Sequence, residues 1–553
     1  MSRIALVLGG GVSLGTYVAG AVIELLTALE RNRRGPCTVE VIAGASAGAL
    51  VGALAARALA INPNLLPWIE KAWVEGVDAE RLLNPAREDR SGLLDVSVLD
   101  ELSSALITAE PASDDRRSAA AGSPIGVGIA LSNLLGVRYR FRYGFLNAPD
   151  RYFGTRVYRD AVELEVAPEA GARDPVWERM RQAAVASASF PFAFPPRPLV
   201  RARTEFPGAY LPELAVPSGG RDREITMWYA DGGLFQNEPL GLAKRLVERR
   251  PDHRSEAWSY ILVDPYMEME PEDREAPFHP PRTPAQAAAC LARAVLGQSA
   301  ARDWIRANKT NARLEILAEL VKRLPDWGDR LCDPEAVALG RAIGELAERV
   351  AEMKVAVRQG GSAAGGGDPA LTYLDENLRR VRSDPRFAPV LARVETRAAR
   401  TRLAKLIFIL EAAGGLRDKE VMPLYLVSPP SAGSLSGDFM ANFGGFFSRE
   451  WRANDFRAGR RDARALLESR LSHLVEYRPD PPAAYQVEEL EGSFERMPAA
   501  ARRRLDTYLH READRLVAEF DAGFPASLLA WAWKPIVRRW AKDRILEGLR
   551  RAG

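Results

Sequence analysis

Histidine is scarce in this chain. Its 553 residues include four, His253, His279, His473 and His510, so imidazole chemistry has few places to occur. Cysteine is scarcer still: Cys37, Cys290 and Cys332 lie far apart and form no C-x-x-C pair. That excludes a visible zinc ligand set and any disulfide framework, and it makes a reducing, cytoplasmic setting the default expectation. Charge of one sign is also lacking. Lys and Arg number 76 against 73 Asp and Glu, a net +3, which gives no footprint of a nucleic-acid binder. No repeat of 20–50 residues is evident. The N-terminal apolar run Ile4–Leu8 stops at three glycines. Neither a signal peptide nor a transmembrane helix is therefore expected.

What remains is ordinary globular material, with 47% apolar and 27% charged residues, long enough for several folding units. The first sixty residues read as strand, turn, helix, twice over. Ile4–Leu8 and Thr38–Ala43 are short apolar runs. Thr16–Glu30 carries Val18, Val22, Leu25, Leu26 and Leu29 on one helical face, and Ala47–Leu59 is a helix of small residues. Apolar strands alternating with helices predict a mainly parallel sheet covered on both faces, an α/β fold. Thr108–Ser123, Ala167–Pro175, Val216–Glu224 and Pro265–Pro284 read as loops, Thr108–Ser123 being the best candidate for disorder.

Beyond residue 284 the texture changes to Ala, Leu, Arg and Glu. Leu339, Ile343, Leu346, Val350, Met353 and Val357 step by 4-3-4-3-4, and Leu371, Leu374, Leu378 and Val381 by 3-4-3. This predicts an antiparallel helical hairpin closed by the Gly- and Ser-rich stretch 359–368. Val421–Val427 reads as one further strand. The expected division is 1–282 as an α/β domain, 283–420 as a helical region, and 421–553 as a mixed, largely helical region.

Three motifs carry chemistry. Gly44-Ala45-Ser46-Ala47-Gly48 follows a strand and opens a helix. Acyl transfer needs a serine oxygen on such a tight turn, and small residues around it allow the strained backbone. A G-x-S-x-G string is expected by chance in roughly one chain of this length in six, so its placement matters more than its presence. Second, Gly9-Gly10-Gly11-Val12-Ser13-Leu14-Gly15 directly follows the first strand. A dinucleotide fingerprint would need Gly where Leu14 stands, and a phosphate loop would need Lys where Thr16 stands. An oxyanion cradle of backbone N–H groups fits better. Third, a serine needs a proton acceptor. His253 and His279 sit in charged or Pro-rich loops, and His473 and His510 on C-terminal helices. The alternative acceptor is the carboxylate of Asp231, in Tyr229-Ala230-Asp231-Gly232-Gly233.

The trio GGGVSLG, GASAG and ADGG, in this order, resembles the patatin-like phospholipases. Two further stretches are similar to that family: Ala186–Pro196, before the Asp motif, and Asn237-Glu238-Pro239 after it. The resemblance spans about residues 3–265. It implies a three-layer α/β fold and a lipid acyl hydrolase of the phospholipase A type. It further implies Ser46 as nucleophile, Asp231 as base in a Ser-Asp dyad without histidine, an oxyanion hole at Gly9, Gly10 and Gly11, and Gly44 and Gly48 as elbow glycines. No metal and no cofactor is implied, the partner being a lipid substrate and not nucleic acid. One departure stands out. Many relatives carry Arg or Lys inside the glycine turn, whereas this turn is one residue longer and uncharged. The rival expectation is a silent patatin-fold scaffold that binds lipid or protein.

Phe443–Phe446, Trp451-Arg452, Asn454–Phe456 and Gly459-Arg460 resemble the C-terminal region of a bacterial patatin-related subgroup. Their Arg, Asp and aromatic residues predict a buried ion-pair network clamping this region onto the sheet. Finally, Leu529, Trp533, Ile536 and Trp540 follow helical spacing, and residues 524–553 carry seven basic and two acidic residues. This segment reads either as a peripheral membrane anchor or as core packing.

Overall fold

A computed structural model describes residues 2–86, 91–112, 114–143, 151–191, 193–206, 209–210, 224–251, 253, 256–267, 302–322, 337–358, 369–394, 396–416, 421–431, 433–440 and 442–522. The C-terminal amphipathic segment, the stretch 359–368, His279, Cys290 and Cys332 lie outside these residues.

Two compact units are present. The first combines residues 1–141, 152–303 and 423–553, and the second residues 142–151 and 304–422. The first unit begins with β1 (Ser2–Leu8), α1 (Gly15–Glu30), β2 (Cys37–Gly44) and α2 (Ala47–Ala60). It continues through α3 (Ser97–Ile107), β3 (Ala121–Tyr143), β4 (Arg151–Val166), α4 (Pro175–Ser187), β5 (Arg197–Ala202), β6 (Ala209–Tyr210), β7 (Glu224–Ala230), α5 (Leu240–Glu248) and β8 (Ala257–Val263). The second unit contributes α6 (Arg302–Lys322), α7 (Val337–Arg358), α8 (Pro369–Ser383) and α9 (Arg397–Ala413). The chain then returns to the first unit with β9 (Leu424–Val427), α10 (Arg449–Ser469) and α11 (Ala499–Ala522).

The sheet order is β5-β7-β3-β2-β1-β8-β9, with β4 and β6 also paired to β3. β3, β2, β1, β8 and β9 run parallel to one another along that order, while β7 is antiparallel to both β3 and β5. The fold is thus a mixed and mostly parallel sheet with helices on both sides, and the C-terminal half is rich in helices. β1 and β2 are buried on both faces almost throughout, which is why they read as continuous apolar runs without alternation.

α1 is buried along nearly its whole length. Val12–Glu30 contains an 18-residue window apolar enough to cross a membrane by length and composition, but 89% of that window is buried inside the protein. Its outer face is covered by α10. The helices approach closely at two glycines: a Cβ on Gly20 would lie 2.1 Å from the Phe456 carbonyl oxygen, and one on Gly459 2.0 Å from that of Tyr17. The expected C-terminal clamp is therefore real; it grips mainly the helix α1 and also touches the sheet at β9. Its ion pair joins Arg460 to Glu24 at 2.7 Å, and Tyr477 and Tyr485 donate to the same carboxylate. Arg452 donates to the carbonyls of Val74, Gly445 and Phe446.

Thr108–Ser123 is not the disordered loop expected of it. Apart from residue 113 it is described, and β3 begins inside it at Ala121. Arg57 Nη2 donates to the Ala109 carbonyl at 2.7 Å, and Asn64 Nδ2 to Asp114 at 2.8 Å. Polar side chains elsewhere in the fold hold what its own composition does not. In the second unit, α7, α8 and α9 share one apolar cluster that includes Ala347, Ala351, Leu374, Leu378, Val381 and Leu403. The predicted 3-4 spacing marks Leu374, Leu378 and Val381 of α8, but on α7 the buried members of the cluster are Ala347 and Ala351, and Leu346 and Leu371, both expected in the seam, are about half exposed.

Candidate active site

β2 delivers Gly44 and Ala45 to the end of the sheet, and α2 starts two residues later. Between them Ser46 has φ 52° and ψ −128°, a backbone state that costs a side-chain-bearing residue about 1–3 kcal/mol. The turn is tight because its flanks lack side chains. A Cβ on Gly44 would stand 2.5 Å from the Gly48 carbonyl oxygen, and one on Gly48 2.4 Å from that of Leu8. The Ser46 N–H donates to Ser187 Oγ at 2.9 Å, and Ser187 Oγ donates to the Ala130 carbonyl at 2.7 Å.

Asp231 follows the last residue of β7 and is fixed from four directions. Its N–H donates to the Ser189 carbonyl at 2.9 Å. Its carbonyl accepts from Ser132 Oγ at 2.6 Å. Its Oδ1 accepts from the Gly233 N–H at 2.7 Å, and its Oδ2 accepts from Ser46 Oγ at 2.5 Å. Ser46 and Asp231 are both buried. Burial lifts the Asp231 carboxyl to about 7, against the lowering pull of the Ser46 and Gly233 hydrogen bonds. A carboxyl so placed changes its proton occupancy near neutral pH.

The glycine turn runs beside this pair. A Cβ on Gly10 would lie 2.9 Å from Ser46 Cβ and 2.5 Å from Asn237 Oδ1, so the turn presses against both the serine and the residue that follows the Asp motif. The Gly9 N–H is already used, donating to the Val263 carbonyl at 2.9 Å as β1 pairs with β8. The N–H groups of Gly10, Gly11 and Val12 make no hydrogen bond among the described residues. Val12 adopts φ 51°, rare for a β-branched residue. Ser13 is held by the C-terminal segment: its N–H and Oγ donate to the Asn442 carbonyl at 3.0 and 2.5 Å, and its Oγ accepts from the Gly445 N–H at 3.1 Å. Beneath Gly9 lies the buried carboxyl of Asp264, pushed up by burial, whose Oδ1 accepts the Tyr266 and Met267 N–H groups.

No described histidine bonds to Ser46 or Asp231. His253 Nδ1 pairs with the Arg250 carbonyl at 2.7 Å, and His510 lies 3.6 Å from Asp506. Four serines around the site went unmarked in the sequence reading. Ser187 and Ser189 lie inside the stretch Ala186–Pro196, where only the family likeness pointed. Ser13 sits in the lengthened turn. Ser132 carries no local signal, because its role depends on β3 pairing with β7.

Fold and elbow together place the first unit among α/β proteins that present a serine at a strand-to-helix turn. Residues 6–244 match the family model described as patatin-like phospholipase. This part of the chain is therefore similar to a patatin-like phospholipase domain. An uncharacterized protein, y4iI, from Sinorhizobium fredii (strain NBRC 101917 / NGR234) is 24% identical over 353 residues, covering 49% of this chain and 50% of its own length. The chain thus spans about half the length of that curated relative.

Proposed function

We propose that this protein is a serine acyl hydrolase that cleaves fatty acyl esters of lipids through Ser46 and Asp231. The observation that carries the reading is the 2.5 Å hydrogen bond from Ser46 Oγ to Asp231 Oδ2, made by two buried groups at a strained elbow. Ser46 Oγ attacks the ester carbonyl carbon as its proton passes to Asp231. The tetrahedral oxyanion is met by the N–H groups of Gly10 and Gly11 and by the positive end of α2. Collapse expels the alcohol, which takes the proton from Asp231. Water, activated by the same carboxylate, then attacks the acyl-serine, and Ser46 leaves with the proton.

A carboxylate is a weak base unless its proton affinity is raised. Burial supplies that increase here. The missing side-chain cation of the glycine turn leaves oxyanion stabilisation to backbone donors, so their placement matters more. The test is hydrolysis of a soluble short-chain ester and of phospholipid by wild type, Ser46→Ala and Asp231→Asn. Loss in both variants, each still folded, supports the reading. A wild type inert toward both substrates points to the silent scaffold, and an active Asp231→Asn points to another base.

A further inference from the structure

We infer that a small aromatic and leucine face beside Asp231 is the surface by which this protein settles on an anionic phospholipid layer; the inference rests on the acyl-hydrolase reading of the same site. The face begins at a break in β3. Ser132 and Asn133 pair with Ala230 and Tyr229 of β7. Directly after them, Asn133 Oδ1 accepts the N–H groups of both Leu135 and Gly136, at 3.0 and 3.1 Å, and Gly136 takes φ 65°. The strand's alternation is lost at this kink. Leu134 and Leu135 are consecutive in the strand, yet they are 48% and 40% exposed. A regular strand would turn one of them inward.

Two aromatic rings extend the same face. The Tyr158 ring lies over Gly136, where a Cβ would come within 2.7 Å of it. Tyr158 stacks tilted against Phe235 at a centroid distance of 6.3 Å. Phe235 is 48% exposed, on the short helix Gly233–Gln236 that starts from the Asp231 turn. Phe235 and Leu134 thus sit on the segments that lead out of the Asp231 turn and its β3 partner, with Tyr158 reaching them from β4. Leu134 is two residues from Ser132, which holds the Asp231 carbonyl, and Phe235 is four residues from Asp231 itself.

The cations at this face select the partner. Arg156 donates to the Leu135 and Gly136 carbonyls at 2.8 and 3.1 Å. Period-two alternation puts Gly154, Arg156 and Tyr158 on one side of β4. The Arg138 guanidinium lies over the same side, its Nε 3.5 Å from where a Gly154 Cβ would stand. Arg138 and Arg156 are exposed and make no ion pair with any described carboxylate. Apolar side chains flanked by unpaired arginines fit the boundary between headgroups and acyl chains, where the rings and leucines enter and the guanidinium groups meet phosphate. A face of this composition next to the dyad would bring the ester carbonyl to Ser46 while the rest of the lipid stays in its layer.

The experiment uses the full chain with vesicles of phosphatidylcholine alone or mixed with phosphatidylglycerol. It compares wild type, Leu134→Ser/Leu135→Ser and Arg138→Gln/Arg156→Gln. Flotation, vesicle hydrolysis and hydrolysis of a soluble short-chain ester are read for each. Exposed substituted side chains leave the fold intact, checked by thermal melting. The expected result is that wild type floats with mixed vesicles, that the leucine variant binds at least about tenfold more weakly, and that the arginine variant loses about fivefold per cation on the anionic vesicles only. Both should turn over the soluble ester like wild type. Variants that float and hydrolyse vesicles as well as wild type overturn the inference. So does a wild type that dimerises in solution where the leucine variant is monomeric, because the face would then be an interface between copies. A wild type that binds vesicles through these residues but hydrolyses neither substrate keeps the surface and removes the acyl-hydrolase reading instead.

Discussion

At the residue scale, Asp231 connects catalysis to pH. Its carboxyl is lifted to about 7 by burial, so the basic form fills as pH rises through that value. Turnover of a neutral ester should therefore increase across roughly pH 6–8 and then level, with one proton lost. Asp231→Asn should cost about 10²–10⁴-fold in kcat, the range of a general base. The same variant makes an unusual stability prediction. A carboxyl raised in the fold favours folding while protonated. That contribution is complete below the usual carboxylate value, about 4, and is lost as pH rises through about 7. Above pH 7 the asparagine variant should accordingly melt no lower than wild type. A fall of several degrees there would mean that the ionised carboxylate stabilises the fold and that burial has been misjudged. Ser13 offers a second residue-scale test. Ser13→Ala removes the Oγ bonds to Asn442 and Gly445, which loosens the glycine turn; kcat should drop between about ten- and a hundredfold while KM changes little. Steady-state kinetics on a soluble ester decide this.

At the element scale, the site is an assembly of segments far apart in sequence, and they differ in how legible they are. The elbow could be read directly, because apolar β2, the small residues 44–48 and helix α2 are contiguous and each obeys a local rule. Asp231 was readable only through its glycines and the family likeness, since a single Asp after a strand is ordinary turn chemistry. The serines that hold it were not readable, because Ser132 and Ser187 meet the dyad only when β3, β7 and α4 converge. The docking of α10 on α1 was half legible. Arg460 and Asp455 marked a buried polar network, but Glu24 gave no sign of being its partner, and the glycine contact at Gly20 and Gly459 looks like any other glycine pair. This contact makes sharp predictions. Arg460→Met leaves the Glu24 carboxylate buried without its cation and should cost about 3–5 kcal/mol in denaturant unfolding. Gly20→Ala drives a methyl into the Phe456 carbonyl and should cost about 1–3 kcal/mol. An unfolding midpoint unchanged in both variants would mean that α10 is not held on α1 as described.

At the scale of the whole molecule, buried and paired carboxyls set opposing limits on stability. Burial raises Asp231 and Asp455 to about 7 in each case, so the fold loses stability as pH climbs through neutrality. Glu205 and Asp384 behave in the opposite way. Burial pushes each upward, but the hydrogen bonds and charge of Arg201 and Arg386 outweigh it and hold both low. Their contribution is present above the unfolded values and is lost as the medium acidifies through the lowered ones. The melting temperature should therefore peak near about pH 4–5, fall as the pH rises to about 7, level beyond that and drop again in stronger acid, a profile that thermal scans across a buffer series will reveal. The chain's scale also explains why the return of residues 423–553 to the first unit escaped the sequence. Composition separates α6–α9 from what precedes them, but it does not say that the chain comes back to add β9 to β8 and Ser13's partners to the glycine turn.

The central claim is that Ser46 is a nucleophile activated by Asp231, and covalent labelling tests it most directly. Wild-type protein, Ser46→Ala and Asp231→Asn are treated with a fluorophosphonate probe at pH 8 (chosen so that the Asp231 carboxylate is ionised), and the modified residue is located by peptide mass spectrometry. Wild type should carry one adduct, on Ser46. Ser46→Ala should carry none, and Asp231→Asn should react at least about a hundredfold more slowly, in line with the loss of a general base. Labelling of a different residue, or an Asp231→Asn rate equal to wild type, would contradict the account.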